Sequence, residues 1–451
     1  MNREILADLV WDASAALALV VLALLVRNIL AIPAHVPLDP NEGWNGAHAL
    51  AAMTGHALYP DARQALMVNN YPPLSFYLVA ALARHGHDVI LAGRWVALAA
   101  FLATAAGIAA ALRRMDCRPR AGVLGVMFFA ALLLVTSDYV GMDDPQLLGH
   151  ALQLGALLLL LRERAFMAAL LFGFSLFIKH NLLAMPLAAG LWLLVQDRRA
   201  GAAFLLWLLA FALSGLVLFQ LGFGTSLIEQ LASPRLFSLA NLASAVSHLW
   251  WALLPGLAMT GFWPDRHSLF CWLYAGTALV LGLVFAAGDG VDANAFFDLA
   301  IALSLTLGLV VERGRWPFLA AASALPLLIF LGVTFRDNNF FFTRAFAQSS
   351  ARDIAFLKSR PGPALCDQLS LCLWAGKGAV VDVFNVGEAI KAGARDPKPL
   401  IQMIAHRRFA GLQLIDANGL GPDVRRAIEK NYRADHSDDN GTFLVPVRRA
   451  P

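Results

Sequence analysis

Charged residues are scarce in this sequence of 451 residues, and their scarcity decides the broad class of protein. Only 15% of the residues are charged, whereas 59% are hydrophobic and the mean hydropathy is +0.63. A soluble domain typically carries about 25% charged residues, so the composition excludes a soluble globular enzyme and a disordered protein. Long apolar runs instead recur from residue 13 to residue 335, a pattern typical of many transmembrane helices.

Cysteine is also scarce. The four cysteines, at positions 117, 271, 366 and 372, form no paired C-x-x-C motif, which excludes a secreted disulfide scaffold and the common zinc-ligand patterns. The formal net charge of +4 could suggest a nucleic-acid partner, but the basic residues lie in short loops between apolar runs. Such a distribution indicates membrane topology and no nucleic-acid partner.

The apolar runs predict an all-α membrane domain of about eleven transmembrane helices, with further helices in the membrane interface. The first run, 12–33, is longer than the roughly 7–15 residues of a signal-peptide core, so we interpret it as a retained anchor. Several other runs are shorter than the ~20 residues that a straight crossing needs. The bounds predicted for these runs are 90–112, 121–137, 146–161, 165–178, 182–195, 202–222, 248–263, 267–287, 296–312 and 316–335.

Arginines in alternate short loops predict the orientation of the chain. Cytoplasmic loops carry an excess of Lys and Arg, so the N-terminus is expected in the cytoplasm and the C-terminus outside, in the inner (plasma) membrane of a cell. The arginines that define the cytoplasmic side are Arg113, Arg114, Arg118, Arg120, Arg162, Arg164, Arg198, Arg199, Arg266, Arg313 and Arg315.

The composition changes near residue 336, which divides a transmembrane domain, 1–335, from a small periplasmic or extracytoplasmic α/β domain, 336–451. Cys366 and Cys372 lie in the second domain and either form a disulfide or remain two buried thiols. Strands are predicted at 364–367, 379–383, 411–415 and 443–447, and helices near 386–393, 398–408 and 422–432.

The first outer loop contains two stretches, 42–53 and 73–84, that are helical in pattern but too short to span a membrane. They are predicted to lie in the membrane interface. Aromatic residues that would sit at the headgroup level are Trp44, Tyr71, Phe76 and Tyr77.

The same loop carries Asp39 and Glu42, which suit two roles. Asp39 before Pro40, with Glu42 three residues after it, matches a capping box that starts a helix. A general base also needs a carboxylate in a fixed position, so capping and catalysis are compatible.

A second acidic pair, Asp143 and Asp144, precedes Pro145. Asp144 suits the N-cap of the next helix, but capping does not explain Asp143. Adjacent carboxylates repel each other unless a cation or a proton donor lies between them. The pair could therefore hold a divalent metal or an ammonium group.

Cations are predicted on the outer side, where the usual charge bias disfavours them. Arg27, Arg94 and Lys179 with His180 come from three separate helices at one membrane depth. Snorkelling to the surface would explain any one of them. A shared anionic ligand, such as a lipid phosphate, explains all of them together.

The last outer loop, 288–298, has the sequence GDGVDANAFFD, in which glycines indicate tight turns. Asp292 can cap the following helix. Asp292 or Asn294 could alternatively hold a sugar hydroxyl.

This ordered series of motifs resembles the membrane glycosyltransferases of the C superfamily, over roughly residues 10–335. The resemblance is strongest to the bacterial relatives of protein O-mannosyltransferases and to the aminoarabinose transferase of lipid A. The motifs that carry it are Asp39-Pro-Asn-Glu42-Gly-Trp, Tyr59-Pro60, Tyr71-Pro-Pro-Leu74, Asp143-Asp144-Pro145, Lys179-His180-Asn181 and Gly288-Asp-Gly-Val-Asp-Ala-Asn294.

The resemblance implies an enzyme that transfers a sugar from a polyprenyl-phosphate donor to a glycan, lipid or protein acceptor on the outer face, with inversion at the anomeric carbon. It implies Asp39 as the base, with Glu42 as the alternative because relatives have adjacent acids here, and Asp143 as the second-loop acid. The residues it brings to the carrier and its sugar are Lys179, His180, Arg94, Arg27, Tyr71, Asp292 and Asn294.

Two other classes of function stay open from the sequence. A transporter or flippase of lipid-linked sugars should show internal repeats and ionisable residues near the membrane midplane, whereas the charges here lie toward the outer surface. A non-catalytic scaffold would not need three acidic loops and several outer-side cations.

Overall fold

The computed structural model describes residues 3–61, 64–84, 86, 88–233, 235–262, 265–336 and 344–447. Most of the helices before residue 337 share one continuous apolar core, whereas the helices at 40–54, 74–83 and 226–231 belong to smaller apolar clusters. The helices before residue 337, which we call the helix bundle, are α1 (Arg3–Ala31), α2 (Pro40–Thr54), α3 (Leu74–Ala83), α4 (Val89–Arg114), α5 (Pro119–Thr136), α6 (Gln146–Leu160), α7 (Ala165–Leu176), α8 (Ala184–Gln196), α9 (Arg198–Phe223), α10 (Ser226–Leu231), α11 (Leu239–Ser247), α12 (Leu253–Met259), α13 (Arg266–Ala286), α14 (Phe297–Arg313), α15 (Pro317–Ala322) and α16 (Ala324–Arg336), with short 3₁₀ turns at Leu249–Ala252 and Ala293–Phe296.

The chain is a multi-pass membrane protein. Six of the helices in the described residues are long and apolar enough to cross a membrane, and a seventh span arises if the pair Leu239–Ser247 and Leu249–Met259, bent by 53°, is counted as one. Each of the eleven predicted spans coincides with a helix or a broken helix. Because several helices are shorter than a full crossing, the count of eleven stays a prediction.

Helices α2 and α3 form where the first outer loop predicts short helices, but the environment of their aromatic residues differs from the prediction. Trp44 and Phe76 are buried, Tyr71 is half-buried, and Tyr77 is exposed. The prediction that all four sit at the membrane surface is therefore wrong for Trp44 and Phe76. The C-terminal part covers α2 so closely that a Cβ on Gly43 would collide with the backbone at Ser370.

The C-terminal part contains a four-stranded sheet with strand order β1-β2-β4-β3. Strands β1 and β2 are parallel, with Ala364 opposite Gly411, and the other two pairs are antiparallel. Its elements are α17 (Arg344–Ser359), β1 (Ala364–Cys366), α18 (Leu369–Trp374), α19 (Val383–Lys391), α20 (Lys398–Ala405), β2 (Gly411–Leu414), α21 (Pro422–Asn431), β3 (Tyr432–Asp438) and β4 (Gly441–Pro446), with a 3₁₀ turn at Ala417–Leu420.

Two sequence predictions for this part are wrong. Residues 379–382 are not a strand, because Asp382 caps α19 and the helix begins at Val383. The sequence also missed β3, an edge strand whose side chains are mostly exposed and therefore show no apolar alternation. The domain boundary predicted at residues 335 and 336 falls at the end of α16, and residues 337–343 lie outside the described ranges.

Cys366 and Cys372 form a disulfide that joins β1 to α18. Next to it, the Trp374 indole N–H donates to Asp88, the N-cap of α4, over 2.8 Å. These contacts place the C-terminal part directly on the outer loops of the helix bundle.

Candidate active site

A cavity of about 760 Å³ lies between the outer loops of the bundle and the C-terminal part. We call it the first cavity. Six residues that the sequence predicts for the site line it together: Asp39, Tyr71, Lys179, His180, Asp292 and Asn294. Residues from three separate outer loops therefore converge on one cavity.

A second cavity, of about 1070 Å³, lies on the other side of a thin wall. Arg27 and Asp138 line it, as does His248. Residues 37 and 38 line the second cavity whereas residues 39 and 40 line the first, and Asp292 lines both. The wall thus consists of two segments, 37–40 and 288–292, and Asp39 and Asp292 lie within it.

Asp39 is held in the wall by the start of α2. Its side chain accepts a hydrogen bond from the Asn41 backbone N–H over 2.7 Å, and Pro40 occupies the first helical position. Burial is the main cause that raises the pKa of the Asp39 carboxyl to about 6; the Asn41 hydrogen bond opposes this rise, and the nearby carboxylates of Asp292 and Asp138 add to it. A carboxylate with a pKa near neutrality is suited to accept and release a proton.

Lys179 lies in the turn between α7 and α8 and also lines the first cavity. Its Nζ is 3.2 Å from both Asp144 carboxylate oxygens and 4.6 Å from the centre of the Tyr71 ring. Burial alone would lower the pKa of Lys179, but Asp144 and Tyr71 more than offset burial, and the pKa is raised. The side chain is therefore a fixed positive charge in the cavity wall.

Asp144 links Lys179 to the start of α2. Besides Lys179, it accepts hydrogen bonds from the Asn41 side-chain amide and from the Gln146 backbone N–H, each over 2.7 Å. Asn41 also donates its backbone N–H to Asp39. The cation and the candidate base are consequently linked through two intervening residues, Asp144 and Asn41.

His180 faces the first cavity beside Lys179. Its side chain is solvent-accessible there, yet the surrounding protein, followed by the charges of Lys179 and Arg235, lowers its pKa to about 4. The imidazole is therefore neutral near pH 7 and adds no positive charge to the cavity.

Glu42 and Arg94, by contrast, form an ion pair that is fully buried, and neither lines either cavity. The Arg94 guanidinium donates to both Glu42 carboxylate oxygens, over 2.9 and 2.6 Å. Its remaining N–H groups donate to backbone carbonyls that follow α1, those of Ala31, Ile32, Ala34 and Val36. A shared anionic ligand would require Arg94 and Lys179 to lie at one site. The structure does not bring them together, because Lys179 lines the first cavity and Arg94 does not.

The predicted capping box is only half-formed. Asp39 caps α2 as expected, but Glu42 accepts the backbone N–H of Leu38 rather than that of Asp39. The reason is that Arg94 draws the Glu42 carboxylate into the bundle. Arg27, the remaining predicted cation, lines the second cavity.

Asp143 is also set apart from both cavities. It packs so closely on α4 that a Cβ on Gly93 would collide with its carboxyl group. Burial, followed by the charge of Glu42, raises the pKa of Asp143 well above its usual range. Asp143 and Asp144 diverge, and among the described residues the three-membered group with metal-ligand spacing is Asp353, His436 and Asp438 in the C-terminal part.

Sequence reasoning missed several residues of the first cavity. Arg235 follows α10 and is a second cation there; it donates to the Asp289 carbonyl over 2.9 Å and lies 5.4 Å from the Phe384 ring centre. An arginine in a loop predicted to be external was an available signal. The C-terminal residues that line the cavity are Asp367, Leu369, Asp382, Val383, Phe384, Asn385, Ile415 and Asp416.

Phe384 holds one half of the wall. Gly290 has φ +65°, a conformation that favours glycine, and a Cβ on it would collide with the Phe384 ring. The glycine-rich turn predicted from the sequence is therefore needed both for its backbone shape and for the close approach of the C-terminal part.

Two solved structures share this architecture. The structure of ArnT from Cupriavidus metallidurans bound to undecaprenyl phosphate is 13% identical, with a TM-score of 0.60, and the match covers 96% of this chain and 97% of that one. The apo structure of the same protein gives the same identity and TM-score, with 96% of each chain covered. No family model and no curated protein matches the sequence. At this identity the likeness shows the fold alone, and it confirms that the chain has the fold implied by its resemblance to the C-superfamily membrane glycosyltransferases.

Proposed function

We propose that this protein is an integral membrane glycosyltransferase that moves a sugar from a polyprenyl-phosphate donor to an acceptor hydroxyl on the outer face of the inner membrane. One observation carries the proposal. A carboxylate with a pKa of about 6, Asp39, and a buried Lys179 whose raised pKa keeps it charged line the same cavity. Displacement of a phosphate from a sugar needs a base at the attacking hydroxyl and a cation at the leaving group.

The lining of the first cavity supports a lipid-linked phosphate as the donor. Lys179 and Arg235 supply positive charge, and the apolar part of the wall includes Leu231, Phe237 and Phe285. A prenyl chain needs apolar surface and its phosphate needs a cation. The ArnT structure of the same fold contains undecaprenyl phosphate, which agrees with such an occupant.

The chemistry is a direct displacement. The acceptor oxygen attacks the anomeric carbon from the face opposite the phosphate, forming the new C–O bond with inversion. The bond between the anomeric carbon and the phosphate oxygen breaks, and its electron pair leaves with the polyprenyl phosphate. Asp39 takes the hydroxyl proton, and Lys179 stabilises the charge that develops on the leaving phosphate.

The second cavity is the proposed acceptor site. Asp39 lines the first cavity, and the residues just before it, Pro37 and Leu38, line the second. An acceptor hydroxyl that passes this segment from the second cavity would reach the base where the donor is bound. Arg27 and Asp138 there would bind the acceptor, and Arg27 is reassigned from the carrier phosphate to this role. Glu42 and Arg94 position the base segment without touching substrate.

The outer location is supported by the disulfide in the C-terminal part, because disulfides persist in oxidising compartments. The Cys366–Cys372 bond is adjacent in the chain to Asp367, which lines the first cavity. A cavity on this side would receive its donor from the outer leaflet.

The test compares two N-cap substitutions. Asp39→Asn keeps a good N-cap and removes the charge, so it should lower single-turnover transfer from undecaprenyl-phosphate sugars by about 10²–10⁴-fold with binding of undecaprenyl phosphate retained. Asp197→Asn is the matched control, because Asp197 caps α9 far from the cavities. Transfer by Asp39→Asn at the wild-type rate contradicts the proposal, and sugar-lipid flipping without transfer would favour a flippase instead.

Lys179 gives an independent test of the leaving-group assignment. Lys179→Ala should lower the single-turnover rate as well as donor affinity. Lys179→Arg should recover only part of the wild-type rate, since a planar guanidinium does not reproduce the compact charge of an ammonium group. Wild-type rates in Lys179→Ala would remove this cation from the mechanism.

A further inference from the structure

A small polar recess lies next to the first cavity and shares lining residues with it. Its volume is about 10 Å³, which is enough for one water molecule or one hydroxyl oxygen. It shares Asn181 and Asn294 with the first cavity, and Gln146 and Asp298 line its inner end. Asn181 is two residues along the chain from Lys179, on the same turn.

The polar atoms around the recess need a ligand. Within the described ranges, Gln146 Oε1 and Asn181 Oδ1 are buried and have no hydrogen-bond partner. A buried polar atom left without a partner costs about 1–3 kcal/mol. Gln146 is almost wholly buried and lines the recess, so a group that enters the recess could supply the missing partner.

A buried network fixes the inner end. The Tyr274 hydroxyl donates to Asp298 over 2.7 Å, and His150 Nδ1 is 4.0 Å from the same carboxylate oxygen. The other nitrogen of His150 lies 3.0 Å from the Gln146 amide nitrogen. Ionisable side chains inside an apolar bundle are costly and mark functional positions by default, and the proposed displacement does not use these residues.

We infer that the recess receives one hydroxyl of the donor sugar, with Asn181 and Gln146 as its direct contacts and Asp298 as a positioning residue. The recess then decides which sugar is transferred. This inference rests on the proposed function, since a donor whose phosphate lies at Lys179 brings its sugar ring to the mouth of the recess. Buried acceptor oxygens select a ligand that donates a hydrogen bond, and an analogue lacking that hydroxyl leaves them unpaired.

The experiment measures the discrimination between sugars that differ in one hydroxyl. Undecaprenyl phosphate carrying glucose, mannose, galactose or arabinose is compared with the bare carrier for binding. Monodeoxy forms of the sugar that binds best are then compared for kcat/KM. The variants are Asn181→Ala and Gln146→Leu, and Gln153→Leu is the matched control. Gln153 is buried on the same helix but bonds to Ser175 and to the Leu182 carbonyl, outside the recess.

The wild-type protein should disfavour one deoxy donor by about tenfold or more. Asn181→Ala and Gln146→Leu should bring the kcat/KM ratio for that one deoxy donor toward one and leave the ratios for the other deoxy donors unchanged. Gln153→Leu should leave every ratio unchanged. A ratio compares two donors on the same variant, so loss of folded protein does not alter it. Wild-type ratios in both recess variants would mean that the recess holds only water, which overturns the inference.

The outcome is separable from failure of the proposed function. If no sugar improves binding over bare undecaprenyl phosphate, the recess has no sugar to recognise and the inference is overturned. Binding of the bare carrier that is lost in Lys179→Ala would still support the phosphate site. If the bare carrier does not bind either, the proposed function fails and the inference fails with it.

Discussion

The Glu42–Arg94 pair gives the sharpest test of which first-loop acid acts in the chemistry. Both Glu42 oxygens are occupied: one accepts from Arg94 over 2.9 Å, and the other accepts from Arg94 over 2.6 Å and from Leu38 over 2.9 Å. Glu42→Gln keeps the shape of the side chain and removes its charge. In either orientation the amide nitrogen would face an N–H donor, so at least one bond becomes a repulsive contact.

The expected loss of stability follows from the burial of the pair. Both side chains are 0% exposed, and removal of one partner from a buried pair costs about 3–5 kcal/mol. Arg94 keeps its bonds to four backbone carbonyls, so we expect the lower end, about 3 kcal/mol, or a factor of about 10² in the folded-to-unfolded ratio.

The assay is thermal or denaturant unfolding of the purified protein in detergent, run beside single-turnover transfer. Glu42→Gln should unfold at clearly milder conditions than wild type, whereas Asp39→Asn should unfold like wild type and lose transfer. The comparison is matched, because each substitution removes one carboxylate three residues from the other. A Glu42→Gln protein of wild-type stability that cannot transfer, beside an active Asp39→Asn, would make Glu42 the base and refute the reasoning.

Three further predictions test the site and its orientation. Asp39 must be ionised to accept a proton and its pKa is about 6, so kcat/KM should fall about tenfold per pH unit below pH 6; a pH–rate profile without this acid limb contradicts the assignment. Gly290→Ala should raise the donor KM because the new Cβ collides with Phe384. Adding Phe384→Ala should lower the KM only part of the way back to the wild-type value, because the strain of a positive φ remains. A wild-type KM in the double variant would mean that the backbone shape does not matter. A reporter active only outside the cytoplasm should be active when fused after Pro451 and silent at Arg199, and the reverse pattern would move the site to the other face.

Local signals in the sequence were sufficient for much of the site. Asp39 and Asp292 cap the elements that follow them, as their positions predicted, because a cap depends only on the next two or three residues. The apolar runs predicted the positions of the helices for a similar reason, since hydropathy over a window needs no knowledge of neighbours. Lys179 and His180 were likewise found from their place in a short outer turn.

The pairing of the cations could not be predicted in the same way. The sequence gives the depth of Arg94 in the membrane, but not the direction in which its side chain points around the helix axis. Successive residues of an α-helix turn by about 100°, and the packing of α4 against α2 decides which neighbour a side chain meets. Arg94 meets Glu42 inside the bundle, whereas Lys179 reaches the cavity.

Contacts between distant segments were also out of reach. Residues 379–383 look like a strand because they are rich in valine, but Asp382 starts a helix there and accepts the Trp44 indole N–H over 2.9 Å. These partners are 338 residues apart in the chain. Nothing in the sequence around Asp382 indicates this distant partner, so Asp382 cannot be distinguished locally from a residue at the end of an ordinary strand.

Residues that take no part in the proposed reaction fix the wall between the two cavities. Segment 37–40 is fixed because Arg94 binds the carbonyl of Val36 just before it and Glu42 binds the N–H of Leu38 within it. The other half, 288–292, is fixed by Phe384 against Gly290 and by the bond from Arg235 to the Asp289 carbonyl. The position of Asp39 relative to the first cavity therefore depends on α4 and on the C-terminal part together. Substitutions in the C-terminal part should therefore change the rate of sugar transfer by displacing the wall, even where they contact neither the donor nor the acceptor. A small displacement of a catalytic group such as Asp39 lowers the reaction rate more than it weakens substrate binding.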